Sequence, residues 1–176
     1  MEEMEITLIR HGEPEYALKG RARSNEIASV VENYNLSGIK DRPSQQTVQN
    51  VSHNRMVVCS DLIRSIESAK ALGFDEIHHA KRLFREVEIP YFKSGNFSLS
   101  INSWGILLRV LSLFGFSRNG ESLWMAKRRA KEATSVLIEL AKEEQRVLLV
   151  GHGFINYFIA KELFKAELGG ACQSWR

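Results

Sequence analysis

The chain has 176 residues, 44% of them hydrophobic and 26% charged, which suits one globular domain with a substantial core and requires no second one. Its 24 Lys+Arg against 21 Asp+Glu leave a formal charge of +3, too mild and too scattered to argue for nucleic acid or a membrane surface. The acidic start Met1-Glu2-Glu3-Met4-Glu5 is the reverse of a signal peptide, and the longest apolar stretch, 105–116, is broken by Arg109 and too short to span a bilayer. Two cysteines, Cys59 and Cys172, form neither a CxxC nor a disulfide-dense pattern, so a cytoplasmic protein with no zinc site is expected.

In chain order, the β-branched and apolar run 6–10 predicts a strand that stops at Arg10-His11-Gly12. A long insertion follows, with helix candidates at 25–34 and 44–54 and a break at Asp41-Arg42-Pro43. A second strand at 56–59 runs directly into a helix at 61–72, with Leu62, Ile66 and Ala69 on one face and Ser60 or Asp61 as its N-cap. A third strand is expected at 76–79. Residues 89–119 form a second insertion whose helical segment carries Ile101, Trp104, Leu107, Leu108 and Leu111; it is read either as a cap over a ligand crevice or as a core helix remote from any ligand. Between 122 and 144, Leu123, Ala130, Ala133 and Leu137 mark a long amphipathic helix, on which Lys127, Arg128, Arg129 and Lys131 are read as a solvated basic face. A fourth strand at 147–150 ends in Gly151-His152-Gly153 and precedes a last helix with Ile155, Phe158, Ile159 and Leu163, ending near Gly169-Gly170. Strands alternating with helices imply an α/β single-domain three-layer sandwich over 1–176, its sheet mainly parallel with helices on both faces.

Two histidines therefore sit where two strands stop, and in an open α/β sheet the carboxyl ends of the strands border the ligand crevice. Arg10 offers a planar fork of donors suited to phosphate oxygens, and a neutral His11 beside it can attack phosphorus if its other nitrogen donates to a fixed acceptor. Arg64 lies in the first turn of a helix, where free N–H groups favour an anion; its alternative is a pair with Glu67. The glycines around His152 let backbone and ligand approach closely. Glu86, in Arg85-Glu86-Val87-Glu88, can protonate a leaving alkoxide, with Glu88 as a substitute and an ion pair with Arg85 as its structural alternative. If this piece is a strand, Glu86 and Glu88 point to the same side.

The set Leu8-Ile9-Arg10-His11-Gly12-Glu13, Cys59-Ser60-Asp61-Leu62-Ile63-Arg64-Ser65, Phe84-Arg85-Glu86, Asn119-Gly120-Glu121-Ser122 and Val150-Gly151-His152-Gly153 resembles the histidine phosphatase superfamily, also called phosphoglycerate mutase-like, over nearly the whole chain. The resemblance implies the phosphoglycerate mutase-like fold and a catalytic set of His11, Glu86 and His152. His11 would become phosphohistidine; Arg10, Arg64 and His152 would bind the phosphoryl group, and Glu86 would act as general acid and base. It implies neither cofactor nor metal, and places Asn119 to Ser122 near the mouth of the site.

The expected activity is hydrolysis of a phosphomonoester, from a small phosphorylated metabolite or from phosphohistidine in a partner protein, with phosphate, sulfate and vanadate as ligands. The alternatives are phosphoryl transfer of the phosphoglycerate mutase type and a non-catalytic phosphate-binding protein of the same fold. Against the mutase, Glu13 is followed by Pro14-Glu15-Tyr16-Ala17, and the asparagine usual in mutases is lacking. A metal site at His53, His78 and His79 is disfavoured, because neighbours in a strand point to opposite faces. Arg21, Arg23, Lys93, Arg109 and Arg118 are candidate substrate contacts. Where relatives continue into a further strand, an unpaired sheet edge here would suit a homodimer.

Overall fold

Alternating side chains on three apolar runs divide the interior into two halves. In a computed structural model that describes residues 4–166, β1 (Glu5–Arg10), β3 (Met56–Cys59), β4 (His79–Ala80) and β6 (Arg146–Gly151) form one parallel sheet in the order β1-β6-β3-β4. Ile6, Leu8, Met56, Val58, Val147 and Leu149 face one side, where α5 (Leu123–Glu144) and α6 (Gly153–Lys165) cover them with Ala130, Ala133, Leu137, Ile155 and Ile159. Ile9, Val57, Cys59, Leu148 and Val150 face the other, against α2 (Gln45–Val51) and α3 (Ile63–Ala71). This is the expected three-layer α/β arrangement, and the period of two in each strand produces it.

The two insertions come together in a third apolar cluster. A short antiparallel ribbon joins β2 (Arg21–Arg23) to β5 (Ser98–Ser100), and α1 (Ile27–Leu36) lies with α4 (Ile101–Leu113) around Ala22, Ile27, Trp104 and Leu108. The Trp104 indole N–H donates to the Ala22 carbonyl at 2.9 Å, tying one insertion to the other. Serine caps set the helix starts: Ser44, Ser100 and Ser122 accept from Thr47, Ser103 and Met125 N–H groups.

Three local expectations are corrected. The helix after β3 begins at Ile63 rather than 61, because Asp61 is drawn into a two-point pair with Arg85 instead of capping. The third strand is β4 at His79–Ala80, paired only through Val58↔His79 and Cys59↔Ala80, while Ile77 turns into the core beside α3. The 85–88 segment is not a strand. The helix end expected at Gly169-Gly170, and Cys172, lie outside the described residues. Among those residues no helix is long and apolar enough to cross a membrane.

Candidate active site

Strand register assembles the centre. Arg10 pairs with Gly151 and Cys59 with Val150, so the next residues along three neighbouring strands are His11, His152 and Ser60. The ladder continues past the strand ends: His11 N–H donates to the Gly151 carbonyl at 3.0 Å and Ser60 N–H to Val150 at 3.4 Å. The rings of His11 and His152 consequently meet edge to face with centroids 4.8 Å apart.

The tautomer of His11 follows from its partner. Its Nδ1 lies 2.6 Å from the Gly12 carbonyl oxygen, which can only accept, so Nδ1 carries the proton and Nε2 keeps its lone pair. Burial, reinforced by Arg64 and Arg10, lowers the His11 pKa to about 4 despite the opposing bond to Gly12. A neutral imidazole with a bare Nε2 is the form a nucleophile requires. A Cβ at position 12 would overlap Asp41 Oδ1, which accepts from the Glu13 N–H at 2.6 Å, so a larger residue would have to displace that carboxylate.

His152 is wholly buried, and its Nε2 lies 2.7 Å from Ser60 Oγ and 3.2 Å from Ser65 Oγ. The Ser60 hydroxyl donates to Ser65 Oγ at 2.8 Å, so the 2.7 Å contact is the His152 Nε2–H donating to Ser60. That leaves Nδ1 buried and unpartnered. Burial first, then the neighbouring His11 and arginines, push its pKa far below the usual histidine range. Of the two glycines beside it, Gly151 gives room to Asn156, whose Oδ1 lies where a Cβ would be and whose Nδ2 donates to the Ile9 carbonyl at 3.0 Å.

Arg64 is 1% exposed, donates from Nη1 to the Tyr34 carbonyl at 2.9 Å, and has its guanidinium 4.5 Å from the Tyr34 ring centroid. Its Nε is buried and unpartnered. The pair with Glu67 does not form, because Glu67 accepts from the Ile39 N–H instead. Burial lowers the Arg64 pKa, and its charge acts on both histidines. Arg10 makes no side-chain hydrogen bond among the described residues and lines the adjoining cavity.

Glu86 reaches across to the start of α6: Oε1 accepts from Phe154 and Ile155 N–H groups at 3.1 and 3.2 Å, and from its own neighbour Val87 at 2.9 Å. Gly153 separates it from Arg10, with a hypothetical Cβ 3.8 Å from Glu86 Oε2 and 4.0 Å from Arg10 Nε. Glu88 turns away to Arg82. Arg85 is committed to Asp61, so the alternative role for Glu86, an ion pair with Arg85, is not formed.

The basic run on α5 needs correction at Arg129. Its guanidinium pairs with Glu121 and donates to the carbonyls of Leu83, Arg85 and Glu86, gripping the backbone that presents Glu86. The signal was present in the spacing: Arg129 falls between Ala126, Ala130 and Ala133, on the buried stripe rather than the wet face. Nothing in the sequence marks Ser65 or Tyr34, and it offers Ser60 only as a helix cap, since a serine or tyrosine gains meaning in a site only once its partner is placed. Glu121 and Ser122 serve Arg129 and the cap of α5, and residues 119–122 do not line the cavity beside the site. That cavity, 580 Å³, runs from Arg10, Glu86 and Gly153 to α1 and α4, so the second insertion does border the crevice. Of the five candidate cations, only Arg109 lines it.

No group of three or more His, Cys, Asp or Glu side chains among the described residues is arranged to hold a metal ion. His53 pairs with Glu5, and His78 accepts from the Val57 N–H. Burial raises the Cys59 thiol to about 12, which removes it as a nucleophile.

The family model for the histidine phosphatase superfamily (branch 1) matches residues 6–173. The chain belongs to that superfamily. No curated protein matches it in sequence. Several solved structures share the histidine phosphatase fold with it. A mycobacterial glucosyl-3-phosphoglycerate phosphatase is 18% identical, with 90% of this chain and 78% of that one covered, at a TM-score of 0.57. The phosphoserine phosphatase of Entamoeba histolytica, solved with 3-phosphoglyceric acid, is 19% identical over 90% and 80%, at 0.58. The product of the open reading frame Rv3214 of Mycobacterium tuberculosis is 19% identical over 86% and 75%, also at 0.58.

Proposed function

We propose that this histidine phosphatase hydrolyses a small phosphomonoester through a phosphohistidine on His11. The observation that carries the reading is a pair of unsatisfied buried groups, His152 Nδ1 and Arg64 Nε, beside a neutral His11 whose Nε2 is bare. An unpaired buried polar atom costs about 1–3 kcal/mol, and one phosphate dianion would satisfy both. Arg10, Arg64 and a protonated His152 spread positive charge over the equatorial oxygens while His11 Nε2 attacks in line. As Nε2 gives its lone pair to phosphorus the imidazole becomes positive, and the Gly12 carbonyl that accepts its Nδ1–H stabilises that charge. Glu86, which lines the cavity, gives its proton to the departing oxygen, and the carboxylate then takes one from the water that frees phosphate and restores His11. A cradle of arginines and histidines suits an anion and repels a metal cation, so turnover should persist in EDTA. A buried, unpaired Cys59 fits a reducing, cytoplasmic setting.

The test is turnover of a generic aryl phosphate in EDTA, with label from the ester trapped on wild type and absent from His11→Ala. No turnover, or label elsewhere, overturns the assignment.

Phosphate should bind with uptake of a proton, because neutral His152 presents a bare Nδ1 that can bond an anion only when protonated. The empty site has the opposite preference. For His11, the unfolded chain binds more protons than the folded one between pH 6.5 and about 4, so stability falls as pH falls through that window, by an amount on the order of 3 kcal/mol. Melting curves should show the protein weakening towards about pH 5, with saturating phosphate restoring most of the loss. A phosphate effect independent of pH would remove His152 from the cradle.

Glu86 has two roles to separate. Glu86→Gln keeps an acceptor for the α6 N–H groups and should leave the melting temperature nearly unchanged, whereas Glu86→Ala should cost about 1 kcal/mol, as a lost cap does. Glu86→Gln should slow alkyl phosphates far more than aryl phosphates, whose leaving oxygen needs little protonation, and Glu88→Gln should do much less. Equal slowing of both ester classes would exclude proton transfer by Glu86.

A further inference from the structure

We propose that the ester this enzyme takes, given the phosphatase reading above, carries an uncharged and mainly apolar alcohol of up to about 20 heavy atoms. Arg10 lines two cavities: one of 420 Å³ contains His11, the attacking side, and the other contains Glu86, the proton donor, so an in-line displacement sends the alcohol into the second. Arg10, Glu86 and Gly153 lie at one end of the 580 Å³ cavity, so an ester oxygen beside Glu86 directs its alcohol into that space. At about 30 Å³ for each heavy atom, the share of a water in the liquid, 580 Å³ holds the size stated.

The walls are wrong for a compact polyanion. They are built mainly from Ile27, Val30 and Val31 of α1, Ile101 and Leu108 of α4, and Phe154 of α6, with Arg85, Glu88 and Arg109 as the charged groups away from the reacting end. A carboxylate or second phosphate placed there would lose its water and need a dedicated cation. Arg85 is held by Asp61. Arg109 stacks its guanidinium on the Phe154 ring, 3.7 Å from the centroid, and its charge faces Glu86. Stacking leaves its N–H groups free, but Glu86 and Glu88 lie on the same lining and set negative charge against any further anion there.

Gly105 supplies an independent observation. It lies inside α4, where glycine destabilises a helix relative to alanine, and it lines the cavity. A Cβ built on it meets nothing within 4 Å. No close approach of backbone accounts for the glycine, and its effect is to keep the chamber wide beside Trp104 and Leu108.

The experiment uses n-alkyl phosphates from ethyl to octyl, which share one leaving-group pKa, so that chain length reports burial and not chemical reactivity. For the wild type, kcat/KM should rise roughly two- to fourfold per methylene until the cavity is full, and octyl phosphate should outrun phosphoserine and 3-phosphoglycerate. Gly105→Leu fills the chamber: octyl phosphate should lose at least about tenfold while ethyl phosphate stays within about twofold, with a melting temperature no lower than wild type. Val30→Phe, which obstructs the same space from α1, should repeat the pattern and serves if Gly105→Leu folds poorly. A flat chain-length series, a preference for phosphoserine or 3-phosphoglycerate, or a rising series that both variants leave untouched would overturn this inference and leave the phosphatase reading standing. Failure to hydrolyse any ester, aryl phosphates included, would overturn both.

Discussion

His11→Ala should reduce hydrolysis of any phosphate ester by at least about a thousandfold, the scale on which removal of a nucleophile acts, because no neighbouring group can replace it. His152 is the adjoining imidazole, but its Nε2 is bound to Ser60 and its Nδ1 is buried, the atom proposed above to bond the phosphate. Cys59 is sealed in the sheet. The fold should survive: His11 lies beyond the end of β1, and the strand's hydrogen bonds to β6 do not involve the ring. A stability change beyond about 2 kcal/mol would exceed an ordinary substitution and point to a structural role for the ring. Residual activity within tenfold of wild type would overturn the assignment of the nucleophile.

Arg64→Met should separate stability from activity. The empty site holds an almost fully buried cation with one unpartnered nitrogen, and replacing such a charge with an apolar side chain of similar length is often neutral or stabilising. Melting of the phosphate-free protein should therefore hold or rise, offset in part by the lost bond to the Tyr34 carbonyl. Catalysis should fall by about 10²- to 10³-fold, the usual consequence of removing one preorganised donor from a transition state. Phosphate should no longer stabilise the variant as it does the wild type. Full retention of that stabilisation would place Arg64 outside the cradle.

Both effects arise from a site whose residue types were legible before its geometry. His11 and His152 were readable because each ends an apolar run, and parallel register then has few ways to keep them apart. Arg64 was readable as a helix-start arginine, but its burial under Tyr34 was not, since the insertion that brings Tyr34 there has no periodicity that encodes where it docks. The three layers followed from alternation in β1, β3 and β6. The short β4 did not, because an edge strand held by two pairings leaves little signal of its limits. Arg129 shows a different failure. A cluster of basic residues was weighed as a cluster, although the position of each on the helical wheel assigns one of them to the interior. Asp61 was misread as a cap because a short carboxylate at a helix start satisfies a local rule, and only the arrival of Arg85 from distant sequence shows that a bidentate partner outcompetes it.

Among the described residues β1 lies at one border of the sheet, and its ladder partner β6 begins only at Arg146. During synthesis β1 therefore leaves the ribosome long before its ladder partner, and no piece ending before His152 can present a working centre. A contact so distant in sequence closes late and slowly, since the loop entropy must be met before the pairing compensates for it. In the interval the apolar residues of β1 are open to wrong neighbours, which makes dependence on chaperones during translation, rather than low stability once folded, the vulnerability that this order of strands builds into the enzyme.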